Sequence, residues 1–296
     1  MRVEGDSKAS REEFGSHSGW DTGPVTVGRP DETLDKEFAM TAVISRYPGI
    51  SGRVAVVTGG SRGIGAALSR LLAAQGASVV VNGRDKEVMD QVVTDIRAAG
   101  GQAHPVVADV TDPDAVRRLR EETERVFGPA ELLAVVAGIG GRPSAVEDVT
   151  PEAWRAGLEG NLTSAFLTLR EFLPGMKERG AGAVVTMSSN SGRLPFHPAP
   201  QYAAAKAGLL MLTREAADQA AKAGVRVNAL APATTMNDTI RANASEEQIQ
   251  HLGRTFPLGR IGTPEDSAEA AAFLLSDAAS WITGATVDVA GGKVMV

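Results

Sequence analysis

The feature that most constrains this chain is a regular alternation, beginning at Gly52, of short apolar runs with longer helical stretches. The short runs are continuously apolar, which is typical of strands buried on both faces. Strand–helix repetition with right-handed crossovers builds a parallel sheet with helices on both sides. We therefore predict an α/β protein, with a Rossmann-type doubly wound parallel sheet of about seven strands in one domain. The predicted strands are 54–58, 78–82, 103–108, 132–137, 183–188, 225–230 and 285–289, and the predicted helices are 66–75, 86–99, 114–127, 151–179, 201–223 and 264–276.

Composition excludes several classes of function. The 296 residues include no cysteine, so disulfides, thiolate nucleophiles and cysteine-ligated zinc are excluded. The four histidines lie at no metal-ligand spacing, and we predict no metal site. A net charge of −6 argues against nucleic-acid binding. No apolar run is long enough for a membrane helix, and residues 1–10 do not resemble a secretory signal. We expect a cytoplasmic protein that acts on a small molecule.

Residues 1–48 differ from the rest because they are polar and show no apolar periodicity. One interpretation is a poorly ordered extension. Another is an oligomer arm that packs on a neighbouring subunit through Phe14, Trp20, Phe38 and Tyr47, and Met40 could be the biological start. The catalytic domain is then 49–296.

A glycine-rich turn follows the first predicted strand. Glycines at positions 59, 63 and 65 give a GxxxGxG spacing before a helix-forming run. Glycine permits a tight turn and close approach of a phosphate, and a helix N-terminus offers free N–H groups. The pattern predicts a dinucleotide site that includes Gly59, Ser61, Arg62, Gly63, Ile64 and Gly65.

The residues after the second and third strands bear on the choice of dinucleotide. Positions 82–84 lack the acidic residue that favours NAD, and Asp85 comes one residue later. Arg84 and Arg62 could instead bind a 2′-phosphate, so NADP(H) is the preferred cofactor, with NAD(H) as the alternative. Asp109 and Val110 are expected at the adenine edge, and Asp109 could also cap the next helix.

Four polar residues supply candidate catalytic groups. Tyr202 and Lys206 share one helix face, since they are four residues apart, and Ser189 ends the strand 13 residues before Tyr202. A phenol can move a proton to or from a substrate oxygen, and a nearby ammonium should lower its pKa. A serine hydroxyl can stabilise a developing alkoxide. Asn161 is expected near the start of the preceding helix.

These motifs resemble the short-chain dehydrogenase/reductase family in its Tyr-x-x-x-Lys branch, most closely the members that reduce 3-oxoacyl carrier-protein thioesters. The resemblance runs from Gly52 to Gly292 and includes 257–260 (PLGR), 263–265 (TPE) and 282–285 (ITGA). It implies that Asn161 sits at a helix kink and holds a water, and that the enzyme is a homotetramer. It also implies cofactor contacts from Ala137, Gly138, Tyr202, Lys206, Pro232 and one of Thr234, Thr235 and Asn237, of which we select Thr235.

The chain departs from the family pattern at three places. Val135 and Val136 replace two asparagines, which removes a polar tie between strands, and Ala233 replaces a glycine. The basic residues that bind a carrier protein are Gly180 and Ala223 here, with Arg179 and Lys222 one residue earlier. Carrier-protein docking is therefore a weak expectation.

The leading functional hypothesis is an NADP(H)-dependent oxidoreductase that interconverts a ketone and a secondary alcohol, similar to a 3-oxoacyl-thioester reductase. The alternatives are a polyol, sugar-acid or secondary-alcohol dehydrogenase of the same fold, and a non-catalytic NADP(H)-binding protein. Substrate choice should depend on residues 191–200 and on a helical lid at 237–256. An anionic substrate would require Arg142 or Arg193 to face the site.

Overall fold

The computed structural model describes residues 47–195 and 199–295. In this part of the chain, strands and helices alternate as the apolar runs predicted. Each predicted strand is present, and its bounds differ from the prediction by two residues or fewer. The strands of the described part are β1 Val54–Thr58, β2 Ser78–Gly83, β3 Gln102–Val107, β4 Leu132–Val135, β5 Gly182–Met187, β6 Val225–Pro232 and β7 Thr286–Val289.

The seven strands form one sheet in which every neighbouring pair is parallel, in the order β3-β2-β1-β4-β5-β6-β7. The order reverses between β1 and β4, where Val57 pairs with Ala134. Ligands of such sheets bind at this reversal, beyond the carboxyl ends of the strands. The structure thus confirms the Rossmann-type doubly wound sheet.

Helices connect the strands, and one predicted helix is interrupted. The predicted helix 151–179 is two α-helices joined by a π-helical segment, Glu159–Thr163. The helices within the described residues are α1 Gly63–Ala74, α2 Lys86–Ala98, α3 Pro113–Val126, α4 Pro151–Leu158, α5 Ser164–Arg179, α6 Pro200–Ala221, α7 Asp238–Asn243, α8 Glu246–Gly253 and α9 Pro264–Leu275.

Two apolar cores cover the two faces of the sheet. Val57 of β1 packs in a core with α1, α2 and α9, whereas the preceding residue, Val56, packs in a core with α3, α5 and α6. Successive side chains of a strand point to opposite faces, so both must be apolar where both faces are covered. This is the physical reason for the continuous apolar runs.

Tyr47 contradicts one part of the oligomer-arm interpretation. Its ring is buried in the core of its own chain, and its phenol donates a hydrogen bond to Glu269 of α9. A side chain held there does not anchor an arm on a neighbouring subunit. The other predictions for the extension, including Phe14, Trp20, Phe38 and Met40, lie outside the described residues.

In the part of the chain that the structure describes, no helix is both long and apolar enough to cross a membrane. The same residues contain no cluster of three or more His, Cys, Asp or Glu side chains that could hold a metal ion.

Candidate active site

The glycine turn between β1 and α1 forms one end of the site. A β-carbon on Gly65 would lie 2.1 Å from the carbonyl oxygen of Gly59, so only glycine allows the turn to close this tightly. Gly63 has a φ of +47° and open space on the side where a β-carbon would project. The N-terminus of α1 has no side-chain cap and no acidic residue in its first turn. Free N–H groups without a carboxylate beside them suit a bound phosphate, so the turn fits a dinucleotide.

Two arginines and three carboxylates surround the adenosine end. Arg62 pairs with Asp85 at 2.8 Å and lies 3.9 Å from Asp238 of α7, and Arg84 lies 3.5 Å from Asp109. Both guanidinium groups are more than half exposed, so these ion pairs are weak. Both arginines can therefore exchange these carboxylates for a ligand anion of higher charge.

The carboxylates at this end are engaged locally. Asp85 caps α2 by accepting from the N–H of Val88, and this bond is the main reason that its pKa is lowered. Asp109 accepts from the N–H and the hydroxyl of Thr111, which lowers its pKa. The capping role considered for Asp109 was wrong, because Asp112 is the residue that caps α3.

Ser189, Tyr202 and Lys206 come together at the carboxyl end of β5. The Ser189 hydroxyl donates to Asn190 Oδ1 at 3.2 Å and lies close enough to Tyr202 to lower the pKa of its phenol. The Lys206 Nζ lies 5.6 Å from the centre of the Tyr202 ring. The Ser188 hydroxyl donates to the carbonyl of Lys206 at 2.8 Å. A β-carbon on Gly192 would lie 2.7 Å from the α6 backbone. These contacts hold the end of β5 against α6 and so fix the distance between the serine and the phenol.

Burial dominates the electrostatics of this group. The Lys206 Nζ donates to the carbonyl of Met187 at 2.8 Å, and burial lowers the pKa of Lys206 to about 8. Burial also raises the pKa of Tyr202, and the hydrogen bond with Ser189 offsets only part of that rise. The expectation that Lys206 lowers the phenol pKa is thus not met in the chain alone, because desolvation is the larger effect.

Asn161 lies in the π-helical segment between α4 and α5, not at the start of a helix. Its Oδ1 accepts from the N–H of Ile139, and its Nδ2 donates to the carbonyls of Ile139 and Gly157. π-Helical turns leave the regular bonding pattern and often mark functional sites. A β-carbon on Gly138 would lie 2.7 Å from the Asn161 Oδ1 and 3.3 Å from the Lys206 Nζ. A larger residue at this position would therefore displace the Asn161 amide from its backbone bonds.

Thr58 joins β1 to the end of β4 by hydrogen bonds, a connection that the apolar side chain of Val135 cannot form. Its hydroxyl accepts from the N–H groups of Val136 and Ala137 and contacts the carbonyl of Ala134 at 3.4 Å. The ends of β1 and β4 are thus joined by a threonine on β1. This tie keeps Ala137 beside Gly59, whose β-carbon would lie 2.9 Å from it.

The loop after β6 leads to the predicted lid. Helices α7 and α8 occupy residues 238–253, with Asn237 and Ser245 as their N-caps. The Thr235 hydroxyl donates to the carbonyl of Ala233. Asn237, Asp238 and Leu252 line the same cleft as the glycine turn, so the predicted lid borders the site.

Every residue predicted for the site lines one cleft of about 1390 Å³. These residues are Gly59, Ser61, Arg62, Gly63, Ile64, Gly65, Arg84, Asp109, Val110, Ala137, Gly138, Asn161, Ser189, Tyr202, Lys206, Pro232 and Thr235.

Among the residues at or beside the site that sequence reasoning did not single out, two stand out, Asp238 and Gln201. Asp238 approaches Arg62 from the lid, and only the folded chain brings them together. Gln201 is buried directly before Tyr202, and its position next to the predicted phenol was a signal that could have been followed.

The comparisons with known proteins identify the family. A family model described as enoyl-(acyl carrier protein) reductase matches residues 59–293. Cis-4-hydroxycyclohexanecarboxylate dehydrogenase of Sinomonas cyclohexanicum is 41% identical over 244 residues, which cover 82% of this chain and 97% of that protein. The chain belongs to the short-chain dehydrogenase/reductase family.

This short-chain dehydrogenase/reductase resembles other members over a similar length. The 3-oxoacyl-[acyl-carrier-protein] reductase of Escherichia coli (strain K12) is 35% identical over 245 residues, covering 83% of this chain and 98% of that protein. A crystal structure of levodione reductase superposes with a TM-score of 0.78 at 30% identity, covering 82% and 98% of the two chains. The short-chain dehydrogenase/reductase is therefore an enzyme that binds NAD(P)(H) and interconverts a ketone and a secondary alcohol.

Proposed function

We propose that this enzyme reduces and oxidises small alicyclic ketones and alcohols with NADP(H), using Tyr202 as the proton donor and acceptor. The observation that carries the proposal is the convergence of Ser189, Tyr202 and Lys206 at one end of the cleft whose other end is the glycine turn. When bound, the nicotinamide cofactor supplies or accepts the hydride.

The side chains divide the remaining work. In reduction, the Tyr202 hydroxyl gives its proton to the substrate oxygen, while the Ser189 hydroxyl donates a hydrogen bond that stabilises the developing alkoxide. Lys206, with a pKa of about 8, can both hold and release a proton near neutrality, so it can reprotonate the phenolate. Asn161 braces the loop at Ile139 against the π-helical turn and, by resemblance, holds a water that continues this path.

The test compares the two tyrosines of the chain. Tyr202→Phe should lower turnover by about 10²–10⁴-fold, because general acid–base catalysis has that size, and should leave NADPH binding measured by fluorescence nearly unchanged. Tyr47→Phe is the matched control, since Tyr47 is buried against α9, and it should keep wild-type turnover. An unchanged rate in Tyr202→Phe would remove the catalytic assignment.

The preference for NADP(H) rests on Arg84 and Arg62. Each is exposed, and a 2′-phosphate with about two negative charges would attract them more strongly than one carboxylate. Arg84→Ala should weaken NADPH binding by about tenfold or more and leave NADH binding within about twofold, as expected for one lost charge-assisted contact. Arg117→Ala, which removes another exposed arginine–aspartate pair, is the control. Equal losses for the two dinucleotides would argue for NAD(H).

The substrate class comes from relatives and from one contact. Both cis-4-hydroxycyclohexanecarboxylate dehydrogenase and levodione reductase are similar over more than four-fifths of the chain. The Arg179 guanidinium donates to the carbonyl of Ala130 at 2.7 Å, so it is held by its own chain and is poorly placed to bind a carrier protein. A 3-oxoacyl thioester is the second candidate, because the E. coli reductase is 35% identical.

Two assays rank these substrates. Cyclohexanone and an acetoacetyl thioester are each incubated with NADPH, and absorbance at the nicotinamide band is followed. Faster turnover of cyclohexanone supports the proposal, whereas faster turnover of the thioester would make the carrier-bound substrate the leading candidate.

We also propose a homotetramer. Phe166 of α5 is 46% exposed and Met211 of α6 is 53% exposed, although both are large apolar side chains on adjacent helices. Burial between subunits would remove this apolar surface from water. Light scattering should give four subunits for the wild type and fewer for Met211→Glu, and a monomeric wild type would contradict the proposal. The cytoplasmic location stays a prediction.

A further inference from the structure

A small side cavity of about 180 Å³ opens beside the catalytic phenol. It is lined by the loop after β4, by α4 and by the start of α6, and it shares Asn161 and Tyr202 with the main cleft. Its wall is small and mostly apolar, with Gly140, Gly141 and Ala156 among its members. A cavity of about 150 Å³ can hold a benzene-sized ring, so this space beside Tyr202 has the size of a small ring.

Besides Asn161 and Tyr202, two further polar side chains, Arg142 and Gln201, line this side cavity. Arg142 is exposed, and within residues 47–195 and 199–295 it forms no ion pair. Gln201 is only 7% exposed, and its Oε1 has no hydrogen-bond partner in the same part of the chain. A buried amide oxygen without a partner is costly. In the wall of a cavity such an amide can accept from a ligand donor or, after a half rotation, offer its N–H₂ to a ligand acceptor.

Arg142 and Arg193 were both candidates for binding an anionic substrate. Arg193 faces Asp288 of β7, with 3.4 Å between its Nη1 and the carboxylate, and both side chains are largely buried. Its charge thus faces an opposite charge of the same chain, although the Nη1 has no hydrogen-bond partner within the described residues. Arg142 keeps its charge available at the cavity, and an arginine without a carboxylate partner is suited to bind a carboxylate through two parallel hydrogen bonds.

We infer that the side cavity binds the far end of a substrate that carries a carboxylate. The substrate class is a cyclic secondary alcohol, or the matching ketone, with a carboxylate across the ring from the reacting carbon. The carbonyl carbon lies by Ser189 and Tyr202, the ring fills the side cavity, and the carboxylate pairs with Arg142. The Gln201 amide, which can turn by half a rotation to present its N–H₂, bonds the second side of the carboxylate. This inference rests on the proposed function.

The experiment uses three ketones with NADPH: 4-oxocyclohexanecarboxylate, its uncharged carboxamide and cyclohexanone. The wild type should prefer the carboxylate to the carboxamide in kcat/KM. Arg142→Met should lower kcat/KM for the carboxylate by about 10–100-fold, mostly through KM, as expected for one lost charge-assisted pair. It should change the values for the two neutral ketones by less than about twofold, since they present no charge to Arg142. Arg142→Lys should restore part of the loss.

Arg155→Met is the control variant, because Arg155 is an exposed arginine of α4 that does not line the side cavity. It should behave as the wild type with all three ketones. Equal losses for the carboxylate and the carboxamide in Arg142→Met, or no loss for either, would overturn the inference.

A calorimetric titration separates this inference from the proposed function. The carboxylate should bind the wild type in the presence of NADP⁺ and should bind Arg142→Met at least about tenfold more weakly. If no ketone is reduced but this binding difference is found, the proposed function fails and the carboxylate subsite stands. If ketones are reduced but the carboxylate binds both proteins equally, or does not bind, the subsite is refuted and the proposed function stands.

Discussion

Replacing Lys206 by methionine should reveal how much the buried ammonium of Lys206 lowers the free energy of unfolding. Lys206 is buried, and its pKa is lowered from 10.5 to about 8. Each unit of pKa difference between the folded and unfolded states corresponds to about 1.4 kcal/mol, so the charged form costs about 3 kcal/mol at pH values below 8. Methionine has a similar length and no charge. It loses the bond to the Met187 carbonyl, which offsets about 1–3 kcal/mol of the gain.

The sign of the pH dependence follows from the direction of the shift. Between pH 8 and 10.5 the folded chain has lost this proton while the unfolded chain still holds it, so stability rises with pH. For the two pKa values of Lys206, the free energy of unfolding of the wild type should increase by about 2 kcal/mol between pH 7.5 and 9.5. Lys206→Met should lack this increase.

The assay is urea unfolding of both proteins without cofactor at pH 7.5, 8.5 and 9.5. The measured quantity is the difference in unfolding free energy between the proteins, because contributions from the other titrating groups cancel in it. Lys222→Met, at the exposed end of α6, serves as the control and should follow the wild type. A difference between Lys206→Met and the wild type that stays constant over this range would refute the assigned burial cost.

Three further changes test other parts of the structure. Gly65→Ala places a β-carbon 2.1 Å from the Gly59 carbonyl oxygen, so the turn must shift and NADPH affinity measured by fluorescence should fall by about tenfold or more. Arg226→Leu leaves the carbonyls of Leu274 and Ser276 without their donor, and the unfolding free energy should fall by about 1–3 kcal/mol in urea. Asp266→Ala removes a carboxylate whose pKa is lowered to about 2 by Arg260, so its stabilisation is complete above pH 4. The melting temperatures of Asp266→Ala and the wild type should therefore converge as the pH falls from 4 to 2.

Local sequence signals were sufficient for the sheet and for naming residues that the fold brings into one cleft. Seven apolar runs became seven strands because each strand of a doubly covered sheet must be apolar on both faces. The glycine spacing at 59, 63 and 65 and the four-residue spacing of Tyr202 and Lys206 are both short-range patterns that a turn and a helix convert directly into geometry.

The interruption at Asn161 was not predictable in the same way. Residues 151–179 have helical spacing throughout, and the π-helical turn forms where the Asn161 amide bonds the backbone at Ile139, 22 residues earlier. The signal is thus a contact between a helix and a loop, which no window of local sequence contains. The Thr58 tie to Val136 and Ala137 is of the same kind, since the two strands are 78 residues apart at that contact.

Electrostatics was the least predictable property of the site, because burial and neighbouring groups decide the pKa and the ion pairs of a charged side chain. Arg142 and Arg193 are equivalent in the sequence as candidates for an anionic substrate. They differ in the fold because β7 brings Asp288 to Arg193 from 95 residues away, whereas Arg142 stays at the rim of the side cavity. Lys206 follows the same rule: its ammonium stands beside a phenol as the spacing required, yet burial lowers its own pKa and raises that of Tyr202. The lowered pKa of Lys206 is therefore a consequence of its burial where α6 packs against β5.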